Sequence, residues 1–186
     1  MKRLLDIVIV LLVAPLAIFL SIFVAIAIKL DSPGPVVYWS TRVGQYGKPF
    51  QMPKFRSMAV GAPVCEAEKN PETQSYITKV GAFIRKTSLD ELPQLWCVLK
   101  GDMSLIGPRP VLPIVTSVLE MRKAAGVDRL RPGISGWAQV NGRTTITDEE
   151  KVALDTEYLH KQSVWFDLKI MALTVFKVLE REDIVR

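Results

Sequence analysis

The chain has 186 residues, enough for a domain with a real core. Its net charge of +5 points to an anionic partner: a phosphate ligand, nucleic acid or an anionic membrane surface. Cys65 and Cys97 have no metal or redox spacing and read as two lone thiols of a reducing compartment. The sequence contains no internal repeat and no low-complexity tract.

Ile7 through Ile28 carries no charge, an apolar run of about 22 residues where about 20 suffice to cross a bilayer. Lys2 and Arg3 before it, and Ala25-Ile26-Ala27 near its end, resemble parts of a signal peptide. The run is longer than a signal-peptide core, however, and carries Pro15 in its middle. Positive charge flanks it on both sides, Lys2 and Arg3 before and Lys29 after, so the positive-inside rule gives no orientation. Pro15 removes one helical hydrogen bond and presses on the carbonyl of Leu11, which predicts a bend. A bent helix entering and leaving on one face satisfies both observations. A kinked span is the alternative, because proline is tolerated in spanning helices.

Asp31-Ser32-Pro33-Gly34-Pro35 is a rigid turn that ends this segment. Val36 to Trp39 reads as a strand, Gly44 to Pro49 as a turn, and Phe50 to Met58 as a second strand. The hairpin they form carries Lys54 and Arg56. Gly61 to Ser75, polar and containing Pro63 and Pro71, reads as a surface loop. A short helix is expected over Ile77 to Arg85.

Thr87-Ser88-Leu89-Asp90-Glu91-Leu92-Pro93-Gln94-Leu95 organises the rest. Ser88 and Glu91 have capping-box spacing, and Pro93 is tolerated only near a helix start. Asp90 could equally be the cap. In either register Asp90 lies within a turn of the positive end of a helix dipole, which predicts a lowered pKa beside a place where phosphate could bind. Two acids that merely cap a helix running from Leu92 to Leu99 are the simpler reading of the spacing.

Lys100 to Pro110 follows as a loop in which Pro108 and Pro110 stiffen the backbone around Arg109. That suits a bidentate contact to phosphate or carboxylate, against the alternative of a plain connector. Val111 to Ala125 reads as a helix. In Arg131 to Arg143, Gly133, Gly136 and Asn141-Gly142 allow positive φ and close backbone approach to a ligand, or simply mark a turn-rich connector. Thr147 to His160 is a helix with a second capping-box spacing, Thr147 to Glu150. His160, the single histidine, reads as an exposed helix residue. The final helix, Val164 to Glu180, packs in the core or lies at a membrane surface, with Trp165-Phe166 as a candidate interfacial anchor.

Taken together, Lys54 to Met58, Ser88 to Leu95, Lys100 to Ser104, Gly107 to Pro110, Arg131 to Gly136 and Val140 to Arg143 resemble, in order, the blocks of bacterial sugar transferases. These are the small monotopic phosphoglycosyl transferases that start lipid-linked glycan synthesis. The resemblance covers nearly the whole chain, and the combined blocks are highly specific.

It implies an α+β fold, mostly helical with a small hairpin, divided into a re-entrant membrane helix over 1–30 and a membrane-associated catalytic domain over 31–186. It implies transfer of a sugar 1-phosphate from a UDP-sugar to polyprenyl (undecaprenyl) phosphate at the cytoplasmic face of the bacterial inner membrane. By similarity Asp90 is the nucleophile and a Mg²⁺ ligand, and Glu91 is its partner acid. Lys54, Arg85, Arg109, Arg143 and Asp167 fall among the substrate-binding positions. One departure is Ala14 before Pro15, where relatives often have Ser, whose hydroxyl can satisfy backbone groups freed at a bend.

Phosphoryl transfer needs an in-line nucleophile, a metal and cations around the oxygens, which this set supplies. A membrane-anchored binding module would keep the basic patch without needing Asp90. A carboxylate-pair glycosidase needs its acids on opposite sides of the scissile bond, a poor match to two adjacent residues. No nucleic-acid recognition motif is present. The partners expected are therefore a UDP-sugar, polyprenyl phosphate and membrane lipid, without nucleic acid. A homo-oligomer is compatible with the sequence, and the sugar is left open.

Overall fold

The computed structural model describes residues 1–63, 71–142 and 146–180. Helix α1 (Lys2–Asp31) runs through Pro15 as one continuous 30-residue helix. At about 1.5 Å per residue it is roughly 45 Å long, more than a hydrocarbon core of about 30 Å. Its buried residues are Asp6, Val10, Ala17, Val24 and Ile28, successive steps of four or seven that share one helix face. Leu12, Leu16, Phe19 and Phe23 on the remaining surface are more than half exposed. The helix is thus packed on one side and bare and apolar on the other.

Strands β1 (Val37–Val43) and β2 (Pro49–Phe55) form the expected antiparallel hairpin, in register from Val37 opposite Phe55 to Val43 opposite Pro49. Met52 packs with Val10 of α1 and with Cys97 and Val98, while Phe55 packs with Val24 and Ile28 of α1 and with Ile84. Both halves of α1 therefore contribute to the core under the hairpin.

A short helix α2 (Pro71–Gln74) lies in the segment expected to be loop, and residues 64–70, Cys65 among them, lie outside the described residues. Helix α3 (Lys79–Lys86) starts at Thr78, whose side chain accepts from the Gly81 N–H. A 3₁₀ segment (Leu89–Gln94) leads into α4 (Leu95–Lys100).

Beyond α4 the structure departs from the sequence reading. The expected loop contains β3 (Ser104–Ile106), paired in parallel with β4 (Gly133–Ser135), so the two proline- and glycine-rich stretches are neighbours. Gly133 and Gly136 do not adopt positive φ. A Cβ on Gly133 would lie 2.1 Å from the Gly107 amide nitrogen, and one on Gly136 would lie 2.1 Å from the Gly107 carbonyl oxygen. Glycine is needed there because two backbones touch.

Helix α5 (Thr116–Ala124) begins five residues later than expected, beyond Pro113, leaving Val111 and Leu112 as buried loop residues. α6 (Trp137–Asn141) follows β4. α7 (Asp148–Lys161) carries the full capping box between Thr147 and Glu150, and α8 (Val164–Glu180) completes the fold. His160 is exposed, as expected. Trp165 is 82% exposed, whereas its neighbour Phe166 packs against the rings of Trp137 and Tyr158.

Polar contacts tie both ends of α1 to this body. At the N-terminal end, Lys2 Nζ reaches Asp167 Oδ2 at 2.7 Å, and the Arg3 guanidinium donates to the carbonyls of Val98 and Leu99, covering the open C-terminus of α4. Buried Asp6 accepts from Ser104 Oγ at 2.9 Å and from the Leu105 N–H at 3.2 Å. At the other end, Asp31 Oδ2 accepts from the Val80 N–H at 3.1 Å, and the Arg56 guanidinium donates to the carbonyls of Ser32 and Pro33. Hydrogen bonds to charged groups contribute about 1.5–3 kcal/mol each, so both ends are held firmly.

Candidate active site

The acidic pair lies on the 3₁₀ segment between α3 and α4, beneath the hairpin. Ser88, just before it, has a left-handed backbone (φ 56°) and makes no side-chain cap, so the expected capping box does not form. Glu91 instead turns to two cations far away in the chain. Its Oε1 lies 2.9 Å from Lys54 Nζ on β2 and accepts from Arg109 Nη2 at 3.2 Å. Asp90 and Glu91 are both buried, 8% and 9% exposed. Lys54 also approaches Asp90, with Nζ 3.8 Å from Oδ2. Among the described residues the Asp90 carboxylate accepts no hydrogen bond.

Burial pushes the Asp90 carboxyl above its ordinary range, and the Glu91 charge adds to the rise, against the opposing pull of Lys54, Arg109 and Arg85. This corrects the expectation of a lowered pKa. A helix dipole acts within its first turn, but here the carboxylate is folded inward beside a like charge, and desolvation wins. The result is a carboxylate near cations yet bonded to none of them closely, a good state for a nucleophile.

Arg109 projects from a loop that is hydrogen-bonded at several successive carbonyls. Four consecutive carbonyls each accept a hydrogen bond, from β4, α5 and β1: Pro108 from the Gly133 N–H (2.9 Å), Arg109 from Arg122 Nη1 (2.9 Å), Pro110 from Arg42 Nη1 (3.4 Å) and Val111 from the Val43 N–H (3.1 Å). The structure thereby brings Lys54, Asp90, Glu91 and Arg109 into one site. Arg85, in the last turn of α3, is close enough for its charge to act on Asp90. Arg143 lies outside the described residues.

Asp167 is placed differently. It is 2% exposed in the first turn of α8, and its carboxylate accepts from Lys2 and from the Tyr158 hydroxyl at 2.6 Å. In this arrangement it holds the start of α1. Burial and the Asp167 hydrogen bond together raise the Tyr158 phenol far above its ordinary value, so the hydroxyl stays a donor.

Arg42 is the residue that sequence reasoning missed. It lines the same small polar recess as Lys54, Glu91 and Arg109. The signal was in the pleat. In this register Ser40 faces Met52, Tyr38 faces Lys54, and Arg42 lies two residues beyond Ser40 on that same face.

Among the described residues no group of three or more His, Cys, Asp or Glu could hold a metal ion by itself. A donor set of one or two carboxylates nonetheless fits Mg²⁺, which binds through few protein ligands and completes its shell with phosphate oxygens and water. Asp90 could contribute such a carboxylate oxygen, while Glu91 Oε1 is already engaged by Lys54 and Arg109.

A sequence model described as bacterial sugar transferase matches residues 1–181. The UDP-glucose:undecaprenyl-phosphate glucose-1-phosphate transferase of Escherichia coli K12 is 45% identical over 185 residues, covering 95% of this chain and 40% of that protein. An uncharacterized sugar transferase, EpsL of Bacillus subtilis 168, is 41% identical over 188 residues, covering 99% of this chain and 90% of its own length. A UDP-N-acetylgalactosamine-undecaprenyl-phosphate N-acetylgalactosaminephosphotransferase of Aeromonas hydrophila is 38% identical over 183 residues, covering 96% of this chain and 43% of that protein. The chain thus spans less than half the length of the two relatives whose names state a substrate.

Proposed function

The chain belongs to the bacterial sugar transferase family, and from that premise we propose that it transfers a sugar 1-phosphate from a UDP-sugar to polyprenyl phosphate, through a covalent intermediate on Asp90. The observation that carries the reading is the Asp90 carboxylate: buried, without a hydrogen bond among the described residues, and flanked by Lys54 and the Arg109 loop. A module that only bound anions would have no use for a buried carboxylate among its cations, because burying a charge is costly.

In this scheme an Asp90 oxygen forms a bond to the β-phosphorus of the UDP-sugar. The bond to the bridging oxygen breaks, and its electron pair leaves with UMP. The sugar phosphate then remains on Asp90 as an acyl phosphate. A phosphate oxygen of the polyprenyl acceptor attacks the same phosphorus, and Asp90 departs as the free carboxylate. Lys54, Arg109, Arg85 and Arg42 neutralise the diphosphate and the charge that develops on its oxygens. Glu91, held by two of these cations, keeps them on station beside Asp90. Asp90 would hold Mg²⁺, which would supply further charge neutralisation.

The lipid acceptor explains α1. A helix with one bare apolar face, and with both ends bonded to a single polar body, fits a re-entrant or surface-lying segment at the cytoplasmic face of the inner membrane better than a span. A span would place Lys2 and Asp31 on opposite sides of the bilayer. Cysteine labelling of intact cells tests this. An N-terminal cysteine tag is expected to stay shielded from a membrane-impermeant reagent until the cells are opened, and labelling from outside would sink the re-entrant reading.

The reaction itself is tested with purified protein, Mg²⁺, polyprenyl phosphate and a panel of UDP-sugars. Release of UMP with at least one donor, accompanied by lipid-linked sugar phosphate, is expected. Release of UDP, or no turnover with any donor, would contradict the proposed reaction.

A further inference from the structure

The buried pair of Arg122 and Asp155 lies outside the site, yet one of its contacts reaches into it. Arg122 on α5 is 7% exposed and Asp155 on α7 is 1% exposed. Arg122 Nε and Nη2 both donate to Asp155 Oδ2, at 2.9 and 2.7 Å. The remaining guanidinium nitrogen, Nη1, donates to the Arg109 carbonyl at 2.9 Å. The same residue's guanidinium holds Glu91.

Packing alone does not account for this pair. α5 and α7 already meet through Val118 and Val152, together with Val111 of the loop. A buried ion pair is often no more stabilising than apolar residues of the same volume. An apolar pair would not grip a carbonyl. The planar fork of Arg122 does so because Asp155 fixes two of its three nitrogens and leaves the third one direction to point.

We infer that Arg122 and Asp155 are positioning residues for the transfer reaction: they set the Arg109 backbone so that its guanidinium is held ready beside Glu91 for the donor's diphosphate. This rests on the reading of the site given above, in which Arg109 contacts donor phosphate. Pro108 and Pro110 fix local φ on either side, but they do not fix how the loop as a whole lies against the hairpin. The carbonyl contacts do that, and the one from Arg122 is the one made at Arg109 itself.

The test is binding of UDP, in the presence of Mg²⁺, to the full chain in detergent. Removing one partner alone would leave a buried charge unpaired and risk unfolding. Arg122→Met and Asp155→Leu are therefore introduced together, and Arg122→Lys is made separately to keep the charge while losing the fork. Both proteins are first checked for an unchanged thermal transition. The double variant is expected to bind UDP about 10-fold more weakly, a change of about 1.4 kcal/mol. Arg122→Lys is expected to fall between it and the unaltered chain.

The decisive arm repeats the double variant in an Arg109→Ala background. If Arg122 acts through Arg109, its removal there changes UDP affinity less than about twofold, the signature of coupled residues in a mutant cycle. Equal weakening in both backgrounds, or none in the first, would overturn the positioning role while leaving the donor site intact. Failure of the unaltered chain to bind UDP would remove the donor-site reading, and the positioning role with it.

Discussion

Asp90→Asn is expected to abolish sugar-phosphate transfer, by about 10,000-fold or more, since losing a nucleophile removes the covalent route altogether. The substitution replaces one carboxylate oxygen with an amide and preserves the side chain's shape. Asp90 accepts no hydrogen bond among the described residues, and burial already raises the cost of its charge. The variant should therefore fold as well as the unaltered chain, and remain in the membrane fraction. The same burial sets a pH dependence. Asp90 must be ionised to attack, and its folded pKa is raised, so the first step should slow as pH falls, beginning above the ordinary carboxylate range. A folded Asp90→Asn protein that still transfers sugar phosphate would remove Asp90 from the chemistry.

Arg109→Lys should lower kcat/KM for the UDP-sugar by about 100-fold, the scale of removing one well-placed donor to a developing oxyanion. Charge is conserved in this change, but the planar fork is lost. Arg109 uses its backbone carbonyl to receive Arg122 and its guanidinium to hold Glu91, and only the second contact is altered. The loop should remain in place, which separates the loss from any effect on folding. Steady-state kinetics alongside thermal unfolding reads both quantities. Full turnover by a folded Arg109→Lys protein would reduce the loop to a connector.

The parts of this fold that local chemistry determines were legible in the sequence. Thr147 and Glu150 marked the start of α7, and both halves of that capping box form. The strand-like run Val36 to Trp39, the Gly44 to Pro49 turn and the second strand-like run from Phe50 marked the hairpin, which forms as an antiparallel pair. The same motif misled at Ser88 and Glu91. There the Glu91 side chain had a better option in Lys54 and Arg109, cations that only the tertiary fold brings near. The direction of the Asp90 pKa was misjudged for the same reason: a dipole can be read from sequence spacing, whereas burial cannot.

The parallel pairing of β3 and β4 was hidden because three-residue strands carry no readable period. Its glycines therefore read as a ligand approach or a turn-rich connector, and the backbone contact they permit between Gly107 and β4 was not legible. Of the site, Lys54, Asp90, Glu91 and Arg109 came together from separate motifs between Lys54 and Pro110. Arg42 needed the pleat to be followed along β1. Arg122 and Asp155 needed coordinates, because nothing in their local sequence distinguishes them from surface charges on two ordinary helices.

The covalent step on Asp90 is the centre of the proposed chemistry, and intact-protein mass spectrometry after rapid quench tests it most directly. The full chain is mixed with Mg²⁺ and a UDP-sugar that it turns over, with no polyprenyl phosphate present. A mass increase equal to one sugar phosphate is expected, with matching release of UMP, its site mapping to Asp90 and its absence in Asp90→Asn. An unmodified protein under the same quench, with UMP appearing only once polyprenyl phosphate is added, would mean that the lipid attacks the donor directly.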